Sequence, residues 1–330
     1  MLICKQCFFD KELSAAVSVN STTKGNCEVC HTYENVIDLS EFFDFFESLL
    51  SLFVPADHGK TVVDIIQDDW NLFRDKNVAT SILSEVLANR TFGYSISDTI
   101  DYDSDLKDRV AVWEILKTSI KENFRFFIEI DEFAKYNYLQ LEASLPENTK
   151  LYRSRIIPIG KKIIRKDKMG CPPKSLATAG RANPIGIPYL YLSDSVKTTY
   201  FEVRAVYLDK LSVGTFEVVR QQKLVDFVYN VNLYLSFIDG DVPLKEIIIR
   251  KKIIDAISFD LSKPLRRYDS ELEYVPTQLI CEYCRSQLNA DGISFDSSLH
   301  KGGKNYVLFD QSAVRCTEVH RHEITKIDIE

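Results

Sequence analysis

The chain has 330 residues, of which 45% are hydrophobic and 12% aromatic, and a net charge of −7. That composition describes a folded protein long enough for two domains and excludes an extended disordered chain. Residues 1–149 carry 26 acidic side chains against 13 basic ones, which excludes a broad nucleic-acid face there, and no apolar run is long enough to span a bilayer.

The amino terminus lacks the basic-then-apolar layout of an export signal, so the expectation is a cytoplasmic protein with reduced cysteines. Cys4 and Cys7 form one CxxC pair and Cys27 and Cys30 a second, with 19 residues between them. Each pair can present two thiolates to one ion, and a loop of this length lets the pairs converge on a tetrahedral site. The spacing therefore predicts a structural zinc on Cys4, Cys7, Cys27 and Cys30, with His31 as a reserve ligand. Residues 1–35 are then a zinc knuckle that cannot fold without its metal. Cys281 and Cys284 also form a CxxC, but they fall in a helical pattern and are expected in the core.

From Asp38, a cap with Glu41 three residues on, phenylalanines and leucines continue at helical spacing to Phe53, and Pro55 ends the run. Further helices are expected over 61–73, 78–87, 106–127 and 131–145, with no strand before Leu145. The polar break Pro146-Glu147-Asn148 predicts a boundary near 148, between an α-helical first domain (1–148) and a second domain (149–330). Strands are expected at 150–157, 189–192, 215–220, 293–295, 306–309 and 318–327. Helices are expected at 195–207, 244–257 and 276–289. This pattern predicts an α+β fold around a mixed, mainly antiparallel sheet.

Residues 150–183 carry ten basic side chains and one acidic one, enough for an anionic ligand or an acidic partner, or for a solvated loop. Within or beside this stretch lie Leu151-Tyr152-Arg153-Ser154-Arg155, then Gly180-Arg181-Ala182-Asn183-Pro184, then Tyr189-Leu190-Tyr191-Leu192-Ser193, with Glu202 on the helix that follows. Cationic donors, aromatic faces and a lone carboxylate suit a nucleotide such as NAD. Neither a GxGxxG nor a Walker loop is present.

Three ordered blocks, LYRSR, GRANPIGIPYLYLSDSVKTTYFEVR and YVPTQLICEYCRS with DGISFDSS and GGKNYVLFD, resemble the RES domain over most of 150–330. The resemblance implies an ADP-ribosyltransferase-like fold and a toxin that destroys NAD by hydrolysis or phosphorolysis. It implies Arg153, Tyr191, Glu202 and Ser297 as catalytic, with Tyr189 and Ser298 as alternatives to Tyr191 and Ser297. Tyr152, Arg181 and Asn183 are expected to bind the substrate. Residues 1–148 are similar, more modestly, to a zinc-binding HEPN-type domain fused to some RES domains. The Arg-x4–6-His motif of HEPN ribonucleases is missing from 36–149, where His58 is the sole histidine.

The implied setting is toxin–antitoxin or anti-phage defence. NAD is then the substrate, inorganic phosphate a candidate nucleophile, an antitoxin or regulatory protein a candidate partner, and a homo-oligomer a candidate state. The rival functions are an ADP-ribosyltransferase acting on a macromolecule and an inactive zinc-dependent binding module.

Overall fold

Secondary structure begins inside the knuckle, where helices alone were expected to follow. The computed structural model describes residues 1–123, 133, 135–139, 141–263 and 271–326. In it, β1 (Leu2–Cys4), β2 (Thr23–Asn26) and β3 (Tyr33–Asp38) form an antiparallel sheet in the order β1-β3-β2. The first CxxC turn leaves β1 directly. The second lies between β2 and β3, closed by bonds from Cys27 N to Thr32 O and from His31 N to Cys27 O, with His31 at φ 58°. Strand pairing therefore brings together two sulfur pairs that are distant in sequence.

The described residues divide into two units. The first is Met1–Ala111 with Asn230–Lys251, the second Val112–Tyr229 with Lys252–Glu330. The units do not part at the expected position near 148. Trp113 belongs to the second unit, where its buried indole N–H donates to Asp260 at 2.8 Å. Pro146-Glu147-Asn148 is a connection between two strands of one sheet, with Asn148 at φ 64°. A Pro/Asn triplet serves a strand connection as well as it serves a linker.

In the first unit, Asp10 caps helix Lys11–Asn20 by accepting from Glu12 N and Leu13 N, and its second oxygen accepts from Asn232 at 2.6 Å. Asp38 does cap the aromatic run, but helix Phe43–Leu50 stops early, and β4 (Phe53–Thr61) pairs with β5 (Thr99–Tyr102). The pairing is irregular after Pro55, which has no N–H to give the ladder. Tertiary pairing thus overrides the expected all-helical reading. Thr61 and Asp75 cap helices Val62–Asp69 and Lys76–Asn89, near the expected positions. The expected helix 106–127 is two, Ser104–Val110 and Val112–Glu122, and residues 124–127 lie outside the described residues.

The wide aromatic girth at 42–46 has a tertiary reason. Phe46 stacks on Phe73 at 5.9 Å, while Phe45 meets Tyr234 and Phe237 from the returning segment. Phe46 is fully buried. Phe46→Ala is expected to cost about 3–5 kcal/mol, read as a lower unfolding midpoint of this unit in urea.

In the second unit eight strands form one sheet in the order β13-β9-β7-β8-β12-β11-β10-β6. They are β6 (Glu142–Leu145), β7 (Lys150–Ile156), β8 (Leu190–Ser193), β9 (Lys210–Val218), β10 (Gln222–Asp226), β11 (Gly292–Asp296), β12 (Lys304–Leu308) and β13 (Val314–Glu323). Among the described residues only β10 and β11 run parallel, so the expected mixed, mainly antiparallel α+β architecture is what the chain adopts. The expected helix 131–145 ends instead in the edge strand β6, and residues 131, 132, 134 and 140 lie outside the described residues. Leu151, Leu190, Leu192, Phe216, Val218, Leu224 and Leu308 make the buried core of the sheet. Cys281 and Cys284 are fully buried in helix Val275–Ser286, as expected of core cysteines. Among the described residues no helix is long and apolar enough to cross a membrane.

Candidate active site and metal site

β7 pairs with β9 along its whole length but meets β8 at a single pair, Tyr152 with Ser193. Beyond that pair the two strands part, and a cleft of about 410 Å³ opens between them. Tyr152, Arg153, Arg155, Arg181, Tyr191 and Glu202 all line it. Tyr274, Phe295 and Asn305 line it too, so residues from all three sequence blocks share one cavity.

Glu202 closes helix Val196–Glu202, whose start is capped by the Ser195 hydroxyl accepting from Thr198 N. Its Oε1 accepts from Ser297 Oγ and from Asn305 Nδ2, both at 2.7 Å. Among the described residues Oε2 has no hydrogen-bond partner. Ser297 Oγ accepts in turn from the backbone N–H of Leu299 and His300, which fixes its single proton toward Glu202. Asn305 is itself held by Ser193, whose hydroxyl donates to its Oδ1 at 2.8 Å. The carboxylate is thus oriented through one oxygen and offers the other to the cleft.

Arg153 donates to Gly170 O at 3.2 Å, and burial, followed by the adjacent Arg155 charge, brings its pKa down to about 10. Arg181 donates to Leu261 O at 2.8 Å, and burial lowers its pKa as well. Low-lying guanidinium pKa values mark cations with too few compensating anions nearby.

Tyr191 answers the question that strand periodicity left open. Its hydroxyl donates to Asn183 Oδ1 at 2.8 Å and accepts from Ala182 N at 3.1 Å, so its ring edges the cleft while its oxygen clamps the 180–183 loop. Gly180 is required there, because a Cβ would stand 2.7 Å from that hydroxyl. Gln278 completes the clamp by donating to Gly180 O and Asn183 O. Burial raises the Tyr191 pKa, so the phenol stays protonated and keeps donating. Tyr191→Phe leaves two buried polar groups without their partner and is expected to cost about 1–3 kcal/mol, measured by chemical denaturation, with a raised KM for the cleft's ligand.

Three expected ligand residues lie elsewhere. Tyr189 is buried against Phe309, ring centroids 4.7 Å apart, because it precedes β8 and faces the helix carrying Arg285. Asn183 is committed to the loop, donating to Thr178 O and Pro184 O. Ser298 is exposed and donates to Ser262 O, leaving Ser297 as the serine that meets Glu202. The sequence reading missed Tyr274, Phe295 and Asn305 as cleft walls. Phe295 and Asn305 lay inside quoted motif blocks, two strand neighbours that only register brings face to face.

In the first unit the sulfurs of Cys4, Cys7, Cys27 and Cys30 all lie within 4.8 Å of one another. His31 is exposed and not part of this cluster. Burial, together with the neighbouring thiols, pushes Cys4 up to about 12 and raises Cys7 too. Four thiols brought this close together, three of them buried, have the donor chemistry of a metal site.

Comparison with known families matches residues 151–328 to the RES domain. The chain belongs to the RES domain family. Among solved structures, the M. tuberculosis MbcT–MbcA toxin–antitoxin complex is similar at 13% identity and a TM-score of 0.32, over 68% of this chain and 93% of that one. No curated protein shows a significant match to the chain. The RES match spans the whole cleft, from β7 to β13.

Proposed function

We propose that the RES domain cleaves the nicotinamide–ribose bond of NAD. The observation that carries this reading is the meeting of Glu202, Tyr191, Arg153 and Arg181 in one cleft. Breaking the bond builds positive charge on the ribose, as in glycoside hydrolysis. A carboxylate fixed through Oε1, with Oε2 turned to the sugar, stabilises that charge more in the transition state than in the ground state. The arginines hold phosphate groups, and the Tyr191 and Tyr274 rings offer faces to the flat nicotinamide. Water or inorganic phosphate then captures the anomeric carbon as nicotinamide departs.

Structural zinc on the four cysteines of the first unit belongs to the same reading. Four thiolates fill a tetrahedral shell and leave no place for water, so the ion would hold the knuckle together and take no part in catalysis. The acidic first half, net −13 over residues 1–149, is read as a regulatory domain that a partner protein engages.

The test is product identification. Purified protein is incubated with NAD, with and without phosphate, beside Glu202→Gln. Free nicotinamide with ADP-ribose supports hydrolysis, and nicotinamide with ADP-ribose 1″-phosphate supports phosphorolysis. Label transferred to a macromolecule would move the reading to ADP-ribosyl transfer, and intact NAD under both conditions would overturn it.

A further inference from the structure

Arg155 lines the cleft beside Arg153, yet nothing above gives it a task. We propose that Arg153 and Arg155 together form the cleft's binding site for a phosphate oxyanion, with Arg155 as its second donor group. This rests on the NAD-cleaving reading of the same cleft and names the chemistry of one of its subsites.

The two-residue period of β7 puts both side chains on one face of the strand. Both guanidiniums turn to the same carbonyl, Gly170 O, which Arg153 Nη1 meets at 3.2 Å and Arg155 Nη2 at 2.7 Å. A neutral carbonyl cannot balance two adjacent cations. Among the described residues no carboxylate forms an ion pair with either arginine, whose side-chain hydrogen bonds go to that one carbonyl. Arg155 Nε is moreover buried without a hydrogen-bond partner. Buried polar groups in folded proteins are almost always paired, so an unpaired one calls for an explanation, of which a missing ion is one. The depressed pKa of Arg153, due in part to Arg155, points the same way.

Two guanidiniums supply more N–H donors than one carbonyl can use, and their forked geometry matches the oxygens of a phosphate. The phosphate can come from the pyrophosphate of the dinucleotide or from free inorganic phosphate. The location on β7, held along its length by β9, also suits the role. The donors stand on a paired strand, so they are pre-positioned and the anion need not order them.

The experiment measures binding by calorimetry on the full chain, with inorganic phosphate and with ADP-ribose as separate probes, for the parent, Arg155→Gln and Arg155→Lys. Arg155→Gln is expected to weaken at least one probe by about tenfold or more. Loss confined to inorganic phosphate assigns the site to the free ion, and loss confined to ADP-ribose assigns it to the pyrophosphate. Unchanged affinity for both, or a parent that binds neither, overturns the proposal. Should Arg155→Gln fail to fold, Arg155→Lys decides. It keeps the charge without the forked donors, so a several-fold loss supports the site and parent-like affinity for both probes sinks it. NAD turnover is followed separately. A parent that binds the anion but leaves NAD intact refutes the catalytic reading while leaving the anion site standing.

Discussion

Glu202→Gln is expected to lower kcat/KM for NAD cleavage by about 10³-fold. The loss is larger than removal of one charge suggests, because of how the side chain is held. Ser297 and Asn305 both donate to Oε1, so a glutamine must place its amide oxygen there to satisfy them. Its NH₂ group then takes the place of Oε2. A donor with partial positive charge would face the sugar where positive charge develops. The variant preserves shape and folding, so nicotinamide release at saturating and limiting NAD reads the electrostatic effect directly. A variant within about threefold of the parent, well short of the loss an electrostatic role predicts, would remove Glu202 from the mechanism. Ser297→Ala loosens the same carboxylate without discharging it, and its expected loss is correspondingly smaller.

The second large effect concerns the first unit. Stripping zinc with a chelator, or replacing Cys27 by serine, is expected to unfold the sheet of β1, β2 and β3. Structural zinc supplies about 10–16 kcal/mol of apparent binding free energy in small knuckle modules, and this module has little else. Ile3 and Val36 are its few buried aliphatics outside the helices, and the four sulfurs sit where its turns converge. The sign with pH follows from the thiols. Burial holds Cys4 and Cys7 above the ordinary thiol range, so each must release a proton to bind metal. Zinc retention therefore falls as pH falls. Elemental analysis should return about one zinc per chain, and circular dichroism with and without chelator should show the loss of strand signal. A chain that is metal-free as purified and folded all the same would defeat the prediction.

Several parts of the molecule were open to a reader of the sequence, each for a physical reason. Two CxxC pairs at zinc-like spacing carry their chemistry in the residue type, and the sulfurs do converge. LYRSR, YLYLS and DGISFD alternate with the period of a strand, and β7, β8 and β11 stand there. The helix cap at Asp38 is a local hydrogen bond, independent of anything distant. β4 was hidden because Phe53 and Val54 continue an apolar helical pattern, and only Thr99–Tyr102 turns that segment into a strand. β6 and β10 were hidden because each is short and half polar, so neither shows a clear period alone.

By itself, the sequence determined the residue types, the strand and helix periods, and the pairs of cysteines, since these depend on neighbours within a few positions. Tertiary structure decided which of Tyr189 and Tyr191 edges the cleft, which of Ser297 and Ser298 meets Glu202, and that Arg155 joins Arg153. Alternation along a strand tells which face a side chain takes, but not where two strands part. Here that place is the single pair between Tyr152 and Ser193, and the cleft exists because β7 and β8 separate beyond it.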